Sequence, residues 1–385
     1  MTWTQENSLL LLCSRLNLDN DTKQKIKELN LKNLNWKYLF ERSLAEGLFG
    51  LLYKNIKKVQ IEMPPLKEFK ELERMYYQNL AKNMIILKEL ESLLGCLNDS
   101  QIPIILLRGA SFLKTIYNDI GLRYFDDIDI FIRGNHHEKI CKILKKNGFS
   151  PLPFYPDRYL KDSINLDIHT NLFNISRIRS RAYAIKIKNE EIWKDARSIE
   201  NHYPNVLSLS PYDNILTLSI HSLKHSYAQL IWFVDMNEII NQTKDNLNWD
   251  KLLQRAELFN LTRPLYYSLL YLKKKMNSPI PDFVFNKNMK WSYLEKRTLN
   301  FLLKNEKIER YGELLFIYGI PKKSHKLKYL FELLFPRPAV LSQVFGFYRL
   351  FLIPLLYILR LFQMAFLIPK ESLRFLYKVL IPREK

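Results

Sequence analysis

The chain has 385 residues, of which 47% are hydrophobic and 25% are charged. This composition is that of a folded protein and excludes an intrinsically disordered chain. Lys and Arg outnumber Asp and Glu by 59 to 39, which gives a net charge of +20. Such a surplus favours an anionic partner: a nucleotide, a nucleic acid or lipid headgroups. No run of basic residues is interleaved with aromatic residues, as a groove for single-stranded nucleic acid requires.

The three cysteines, Cys13, Cys96 and Cys141, lie far apart and form no CxxC pair. This spacing argues against a disulfide framework and against a zinc knuckle, and it suits a reducing compartment. The N-terminal residues are polar and lack the basic and apolar segments of a signal peptide. We therefore expect a cytoplasmic protein.

Residues 1–100 are predicted to form helices. Asp19 has the short polar side chain that caps a helix start, and a further helix is expected from Asn35 to about Lys57. After Pro65, apolar residues recur every three or four positions, which predicts one long helix with a packing face.

The pattern changes at Ile102, where the apolar run IPIILL is typical of a short buried strand. After this run, segments with helical periodicity follow one another in turn with segments in which apolar and polar residues alternate as in a strand. We predict a compact α/β unit with a helix over 111–117, a strand over 126–133, a helix over 136–147 and a strand over 164–170.

Helical patterns return from residue 210 onward. The predicted fold class is therefore α+β, with a small mixed β-sheet between N-terminal helices and a C-terminal helical domain. The expected division is an N-terminal helical segment (1–100), an α/β core (101–205), a helical domain (206–335) and an apolar, basic helical tail (336–385).

The tail contains an apolar stretch over 346–369. Its longest charge-free run, Leu350 to Leu359, has 10 residues and contains Pro354, whereas a bilayer span needs roughly 20. We therefore predict no transmembrane span and expect this stretch to pack on the protein's own helices. The alternative is contact with a membrane surface.

The segment DDIDIFI carries the first candidate functional residues. Successive strand side chains point to opposite faces, so Asp127 and Asp129 share one face and the intervening isoleucines face the core. Two carboxylates at this separation can jointly hold oxygen-liganded divalent cations, which relieve their mutual repulsion. Asp126 is expected to begin the strand and not to bind metal.

The flanking segments add to this pattern. Upstream, a buried strand runs into Arg108, Gly109 and Ser111, where a helix start offers free N–H groups and a hydroxyl to phosphate. Downstream, Asp167 and His169 alternate with apolar residues, so a third carboxylate is expected to face the same way from another strand.

These blocks resemble the DNA polymerase β nucleotidyltransferase superfamily. More narrowly, LLRGASFLKTIYNDIGLRYFDDIDIFI, LDIHTNL and SPYDNILTLSIHSLKHSYAQLIWFVDMNEII are similar to a poorly characterised bacterial nucleotidyltransferase family, over roughly residues 35–270. The chain departs from the superfamily pattern at Ala110, which separates Gly109 from Ser111.

The resemblance implies a role for each site residue. Asp127 and Asp129 are expected to ligate two Mg²⁺ ions, with Mn²⁺ as a substitute, and Asp167 to complete the ion nearer the attacking hydroxyl. The residues expected to contact the nucleoside triphosphate are Arg108, Gly109, Ser111, Lys114, Arg123 and His169.

The implied reaction moves a nucleoside monophosphate from a nucleoside triphosphate to an acceptor hydroxyl or phosphate, with release of pyrophosphate. A small molecule, peptide or sugar is the favoured acceptor. Two alternatives stay open: an RNA-modifying, toxin-like nucleotidyltransferase, and a non-catalytic nucleotide-binding module.

Three further polar residues are open to more than one interpretation. His221 and His225 are one helical turn apart, a spacing that suits zinc, but the sequence offers no obvious third ligand. Asp235 is expected either to position the acceptor or to form a hydrogen bond within its helix.

Overall fold

A computed structural model of the protein describes residues 4–29, 31–59, 65–172, 178–199, 203–286, 291–303, 311–347 and 350–380. It confirms the α+β fold, in which a mixed sheet lies between N-terminal and C-terminal helices. The helices that precede the sheet are α1 (Gln5–Leu12), α2 (Asn20–Lys27), α3 (Trp36–Ala45), α4 (Phe49–Val59) and α5 (Leu66–Asp99).

Local sequence signals explain where these helices begin and end. The Asp19 carboxylate accepts a hydrogen bond from the backbone N–H of Thr22 and caps α2, as predicted, and α5 begins directly after Pro65. The single helix expected from Asn35 to Lys57 is wrong. The chain turns at Gly47, whose φ of +71° is a conformation that glycine adopts without strain, and this turn separates α3 from α4.

The sheet has seven strands in the order β3-β4-β5-β2-β1-β7-β6. Its central strand pairs are mixed: β2 runs antiparallel to β1 and parallel to β5, and β1 runs parallel to β7. The strands are β1 (Ile104–Leu107), β2 (Asp127–Ile132), β3 (Ser150–Leu152), β4 (Tyr155–Lys161), β5 (Ile164–His169), β6 (Arg197–Ser198) and β7 (Val206–Ser208).

The three predicted strands are β1, β2 and β5, and they occupy the centre of the sheet. The sequence patterns did not predict β3, β4, β6 and β7, which form its two edges. The helices within this part of the chain are α6 (Arg108–Thr115), α7 (His137–Lys146) and α8 (Asn189–Asp195).

The chain after β7 is helical. Ser210 accepts a hydrogen bond from the backbone N–H of Asp213 and begins α9, with Pro211 as its first residue. None of the described helices is both long and apolar enough to cross a bilayer. These helices are α9 (Pro211–Lys224), α10 (Ile231–Thr243), α11 (Trp249–Leu258), α12 (Thr262–Tyr271), α13 (Tyr293–Leu303), α14 (Tyr311–Gly319), α15 (Lys323–Leu334), α16 (Pro338–Phe345) and α17 (Ile353–Leu380).

The buried apolar side chains form one continuous core that extends from Leu9 to Tyr329. A buried ion pair also joins the sheet region to the C-terminal helices. Arg123, just before β2, donates to the Asp235 carboxylate of α10 at 2.7 Å, and the Tyr117 hydroxyl donates to the same carboxylate at 2.8 Å. Asp235 therefore anchors α10 against the segment that leads into β2.

We predict that Asp235→Ala lowers the free energy of unfolding by about 3–5 kcal/mol, because it leaves the Arg123 guanidinium buried without its counter-charge. Urea unfolding measures this change. Asp245→Ala, in the exposed turn after α10, is the control and should change stability by no more than about 0.5 kcal/mol. Equal stabilities of the two variants would show that the ion pair does not hold the helix.

Candidate active site

The pairing of β2 with β5 brings three acidic side chains together. In the parallel register, Asp129 lies opposite Asp167, so both carboxylates project from the same face of the sheet. Asp127 precedes Asp129 by two residues and projects from that face as well. One ligand atom each from Asp129, Asp167 and His169 lie within 4.8 Å of one another, which is close enough to hold a metal ion.

Arg108 neutralises the innermost carboxylate. It forms an ion pair with Asp129, and its Nε donates to Oδ2 of Asp129 at 2.9 Å. His169 Nε2 lies 2.6 Å from the other oxygen, Oδ1. The Arg108 Nη1 lies 2.9 Å from Nδ1 of His221 on α9. Because a guanidinium only donates, Nδ1 of His221 accepts, and that imidazole is neutral.

The backbone of Arg108 has an unusual conformation. Its φ is +46°, in the left-handed region where a non-glycine residue is strained. Arg108 directly follows β1 and is the first residue of α6, so the chain changes from strand to helix at this residue. Strained backbone of this kind is found preferentially at functional sites.

The three carboxylates differ in their affinity for protons. The neighbouring Asp129 carboxylate, together with burial, raises the pKa of Asp127 to about 6. Burial, followed by the charge of Asp129, also raises the pKa of Asp167. Burial opposes ionisation of Asp129 too, but Arg108 and His169 outweigh it and hold the pKa of Asp129 well below its usual value. Asp129 therefore carries the most firmly held negative charge of the cluster, whereas Asp127 and Asp167 take up a proton more readily.

The carboxylates line a cavity of about 350 Å³ between the sheet and α9. Arg108 and Gly109 line it from the start of α6, and Lys224 from the end of α9. Asp127, Asp129 and Asp167 all contribute to its wall. We call this space the first cavity.

A second cavity of about 290 Å³ adjoins the first and shares with it Arg158, Asp167 and His169. Asp127 and Asp129 do not line it. Its opposite wall comes from α16, through Ala339, Val340 and Gln343 and the preceding Arg337. Asp167 is therefore the one member of the three-carboxylate cluster that faces both cavities.

Four of the predicted nucleotide-contacting residues lie at the first cavity, namely Arg108, Gly109, Arg123 and His169. Arg123 and Gly109 also have structural contacts that the sequence does not indicate. The charge of Arg123 is balanced by Asp235. A Cβ on Gly109 would lie 2.6 Å from Cβ of Phe125, so packing against Phe125 already requires glycine there.

The other two, Ser111 and Lys114, are not among the described residues that line either cavity. Ser111 is fully buried on α6. Lys114 is largely buried and forms an ion pair with Glu91 of α5. Their contact with nucleotide stays a prediction that this geometry does not support.

Two contributors to the site were not predicted in these roles. Arg158, on β4, forms an ion pair with Asp167, with its Nε 3.0 Å from Oδ2 of the carboxylate. His221 contacts Arg108, and burial, followed by the nearby Arg108 charge, holds the pKa of His221 well below its usual value. The metal-binding group found among the described side chains does not include His221 or His225.

A comparison with protein families matches residues 32–277 to a family described as uncharacterised nucleotidyltransferases. The match covers more than half of the chain. The protein belongs to this family. No curated protein and no solved structure matches the chain.

The matched residues contain one part of the site and leave another part outside. All seven strands, Arg108 and the three carboxylates lie inside the matched residues, as do α9 and α10. The α16 wall of the second cavity lies outside them. The nucleotidyltransferase region therefore supplies the carboxylate cluster, and the C-terminal segment completes its surroundings.

Asp127→Asn and Asp129→Asn are predicted to change stability in opposite directions. The first relieves repulsion between crowded carboxylates and should leave the protein at least as stable at neutral pH. The second removes the counter-charge of Arg108 and should cost about 3 kcal/mol, as breaking a buried pair does. Urea unfolding of both variants at neutral pH and without divalent metal tests this; a larger loss in Asp127→Asn would contradict the charge distribution described here.

Proposed function

We propose that the protein transfers a nucleoside monophosphate from a nucleoside triphosphate to an acceptor hydroxyl or phosphate and releases pyrophosphate, in a metal-dependent reaction. The supporting observation is that Asp127, Asp129 and Asp167 face one cavity from adjacent strands of a chain in a nucleotidyltransferase family. The proposal includes membership of the DNA polymerase β superfamily. The expected cytoplasmic location supplies both nucleoside triphosphates and magnesium.

The donor set fits Mg²⁺, with Mn²⁺ as a substitute. Asp127, Asp129 and Asp167 offer carboxylate oxygens, which hard divalent cations prefer. The charge of Asp129, together with burial, raises the pKa of Asp127, and burial, followed by the charge of Asp129, raises the pKa of Asp167. A bound cation relieves the crowding of these charges. We assign these three residues as ligands of two ions. When bound, such ions lower the pKa of the attacking hydroxyl and neutralise charge on the entering and leaving oxygens.

The first cavity is the proposed site of the triphosphate. Its charged lining includes Arg108 on one side and Lys224 on the other, and positive side chains stabilise phosphate oxygens electrostatically. Gly109 places the backbone at the start of α6 against this space. His169 lies beside both Asp129 and the cavity, so we assign it to orient Asp129 and to contact phosphate.

The second cavity is the proposed entry of the acceptor. In nucleotidyl transfer the attacking and leaving oxygens lie roughly in line on opposite sides of phosphorus, so acceptor and pyrophosphate must occupy different spaces. The two cavities meet at Asp167, the carboxylate assigned to the ion nearer the nucleophile. A space of about 290 Å³, closed on one side by α16, favours a small molecule, or the end of a peptide or sugar, over an RNA helix.

Magnesium-dependent binding of nucleoside triphosphate should weaken at least about tenfold in Asp127→Asn, since a ligand of the metal is lost. Calorimetric titration with ATP and GTP, each with and without Mg²⁺, measures this. Asp126→Asn is the matched control, because the Asp126 carboxylate is held by Lys82 at 2.7 Å and by Tyr124. If both variants bind alike, Asp127 is not a ligand.

Asp167→Asn should abolish transfer while leaving triphosphate affinity within a few-fold, because Asp167 is assigned to the nucleophile's side of the reaction. The measurement follows the α-phosphorus label of a nucleoside triphosphate and compares wild type with the variant. Equal losses of binding and transfer would instead make Asp167 a triphosphate ligand, and unchanged transfer would remove it from the site.

The destination of the same label separates the proposal from its rivals. Label on a small molecule, peptide or sugar supports the proposed acceptor class. Label on RNA would identify an RNA-modifying enzyme. Magnesium-dependent binding with no labelled product from any of these acceptors would favour the non-catalytic module.

A further inference from the structure

The exposed side of the C-terminal helix α17 is apolar. Phe351 just before the helix, then Leu355, Ile358 and Phe362, are separated by three or four residues and therefore lie along one side. Phe351 is 73% exposed and Phe362 is 71% exposed. A water-facing helix surface normally carries polar residues, so this stripe reverses the usual arrangement.

The opposite side of α17 packs on the protein. Leu356 is buried, and the Tyr357 hydroxyl donates to the backbone carbonyl of Pro336 at 2.7 Å. The helix also contacts α13, α15 and α16. The expectation that the tail packs on the protein's own helices therefore holds for one side of α17 and not for the other.

Helix α15, which contacts α17, carries a similar exposed face. Leu327 and Phe331 are 68% and 61% exposed. Lys323 precedes Leu327 by one helical turn, and both Lys323 and Lys328 are exposed. Both helices thus present large apolar side chains to solvent, and α15 adds exposed lysines. We call the exposed apolar residues of α15 and of 351–362 the apolar face.

The charges around the apolar face are almost all positive. The described residues of 321–347 and 350–366 include six Lys and Arg and one acidic residue, Glu332. The Glu332 carboxylate accepts hydrogen bonds from the backbone N–H groups of Arg179 and Ser180, each at 2.8 Å. Its charge is therefore directed at the protein. A second copy of the chain would bring a like-charged surface against this one, whereas anionic headgroups complement it.

We propose that the apolar face docks on the surface of an anionic lipid bilayer, with α15 and α17 lying in the plane of the interface. Exposed apolar patches of this kind mark interaction surfaces. Phenylalanines and leucines bordered by lysines are the composition of helices that lie at the headgroup boundary. None of the described helices is suited to cross the bilayer, so contact remains on one leaflet. The docking is independent of the proposed chemistry.

Sedimentation of the full chain with vesicles tests the proposal. The protein should bind vesicles of phosphatidylcholine mixed with phosphatidylglycerol, bind those of phosphatidylcholine alone much less, and dissociate as salt rises, because screening weakens the lysine contribution. Failure to sediment with the anionic vesicles at physiological salt would overturn it, as would equal binding to both compositions.

Two sets of variants locate the contact. The double variant Phe351→Ser/Phe362→Ser should bind the anionic vesicles roughly tenfold more weakly or worse, because two apolar side chains no longer insert. Lys323→Glu/Lys328→Glu should weaken binding to anionic vesicles and reduce its dependence on salt. The control is Ile85→Ser, at an exposed apolar position of α5, which should bind as the wild type does.

All five substituted positions are exposed, so we expect each variant to keep its fold. Urea unfolding of each variant checks this. Unchanged vesicle binding by the phenylalanine variant would place the lipid contact elsewhere and reject the proposal. Wild-type dimers in sedimentation equilibrium that the same variant converts to monomers would also reject it, because a second copy would then be the occupant of the apolar face.

Discussion

The carboxylate of Asp129 is the constraint on which the rest of the site depends. It is almost fully buried, and a buried charge is tolerated only with close partners. Arg108 and His169 supply them from β1/α6 and from β5. Arg108 in turn reaches His221 on α9. The contacts that surround the Asp129 charge therefore join the sheet, α6 and α9 to one another.

This arrangement also makes the three carboxylates differ in their counter-charges and in their pKa values. Asp129 is balanced by Arg108, and Asp167 forms an ion pair with Arg158. The charge of Asp129 together with burial still raises the pKa of Asp127, and burial followed by the charge of Asp129 raises the pKa of Asp167. In the proposed function, a divalent cation bound beside Asp127 and Asp167 would relieve this crowding. The two cavities meet at Asp167, so this carboxylate faces both spaces, whereas Asp127 and Asp129 face the first cavity.

The centre of the sheet and the acidic cluster were predictable because their signals are local. Alternation of Asp with Ile marks β2, and a similar alternation around Asp167 marks β5. Strand β4, next to the edge of the sheet, was missed because YPDRYLK combines a proline with charged residues. The pairing of Arg158 with Asp167 was missed with it. The contact of His221 with Arg108 joins residues 113 positions apart, and no periodicity reports such a contact.

The charged residues near the site show a second limit of sequence reasoning. Arg123 and Lys114 have the charge that a triphosphate requires, but Asp235 and Glu91 lie against them in the fold. Glu91 is 23 residues from Lys114 and Asp235 is 112 residues from Arg123, and both pairings are set by tertiary packing. The C-terminal tail shows the converse: its hydrophobicity was evident, but only the structure separates the side of α17 that packs from the side that faces outward.

Position 108 must satisfy two demands that no single amino acid meets without cost. The left-handed backbone there suits glycine, and any other residue pays about 1–2 kcal/mol for it. Glycine, however, has no guanidinium, and the buried charge of Asp129 would be left with His169 alone. An arginine on strained backbone is thus a compromise in which local stability is given up for charge balance. Replacing this arginine with glycine would relieve the strain but break the buried pair with Asp129, which costs about 3–5 kcal/mol, so the exchange would destabilise the fold and unsettle the acidic cluster.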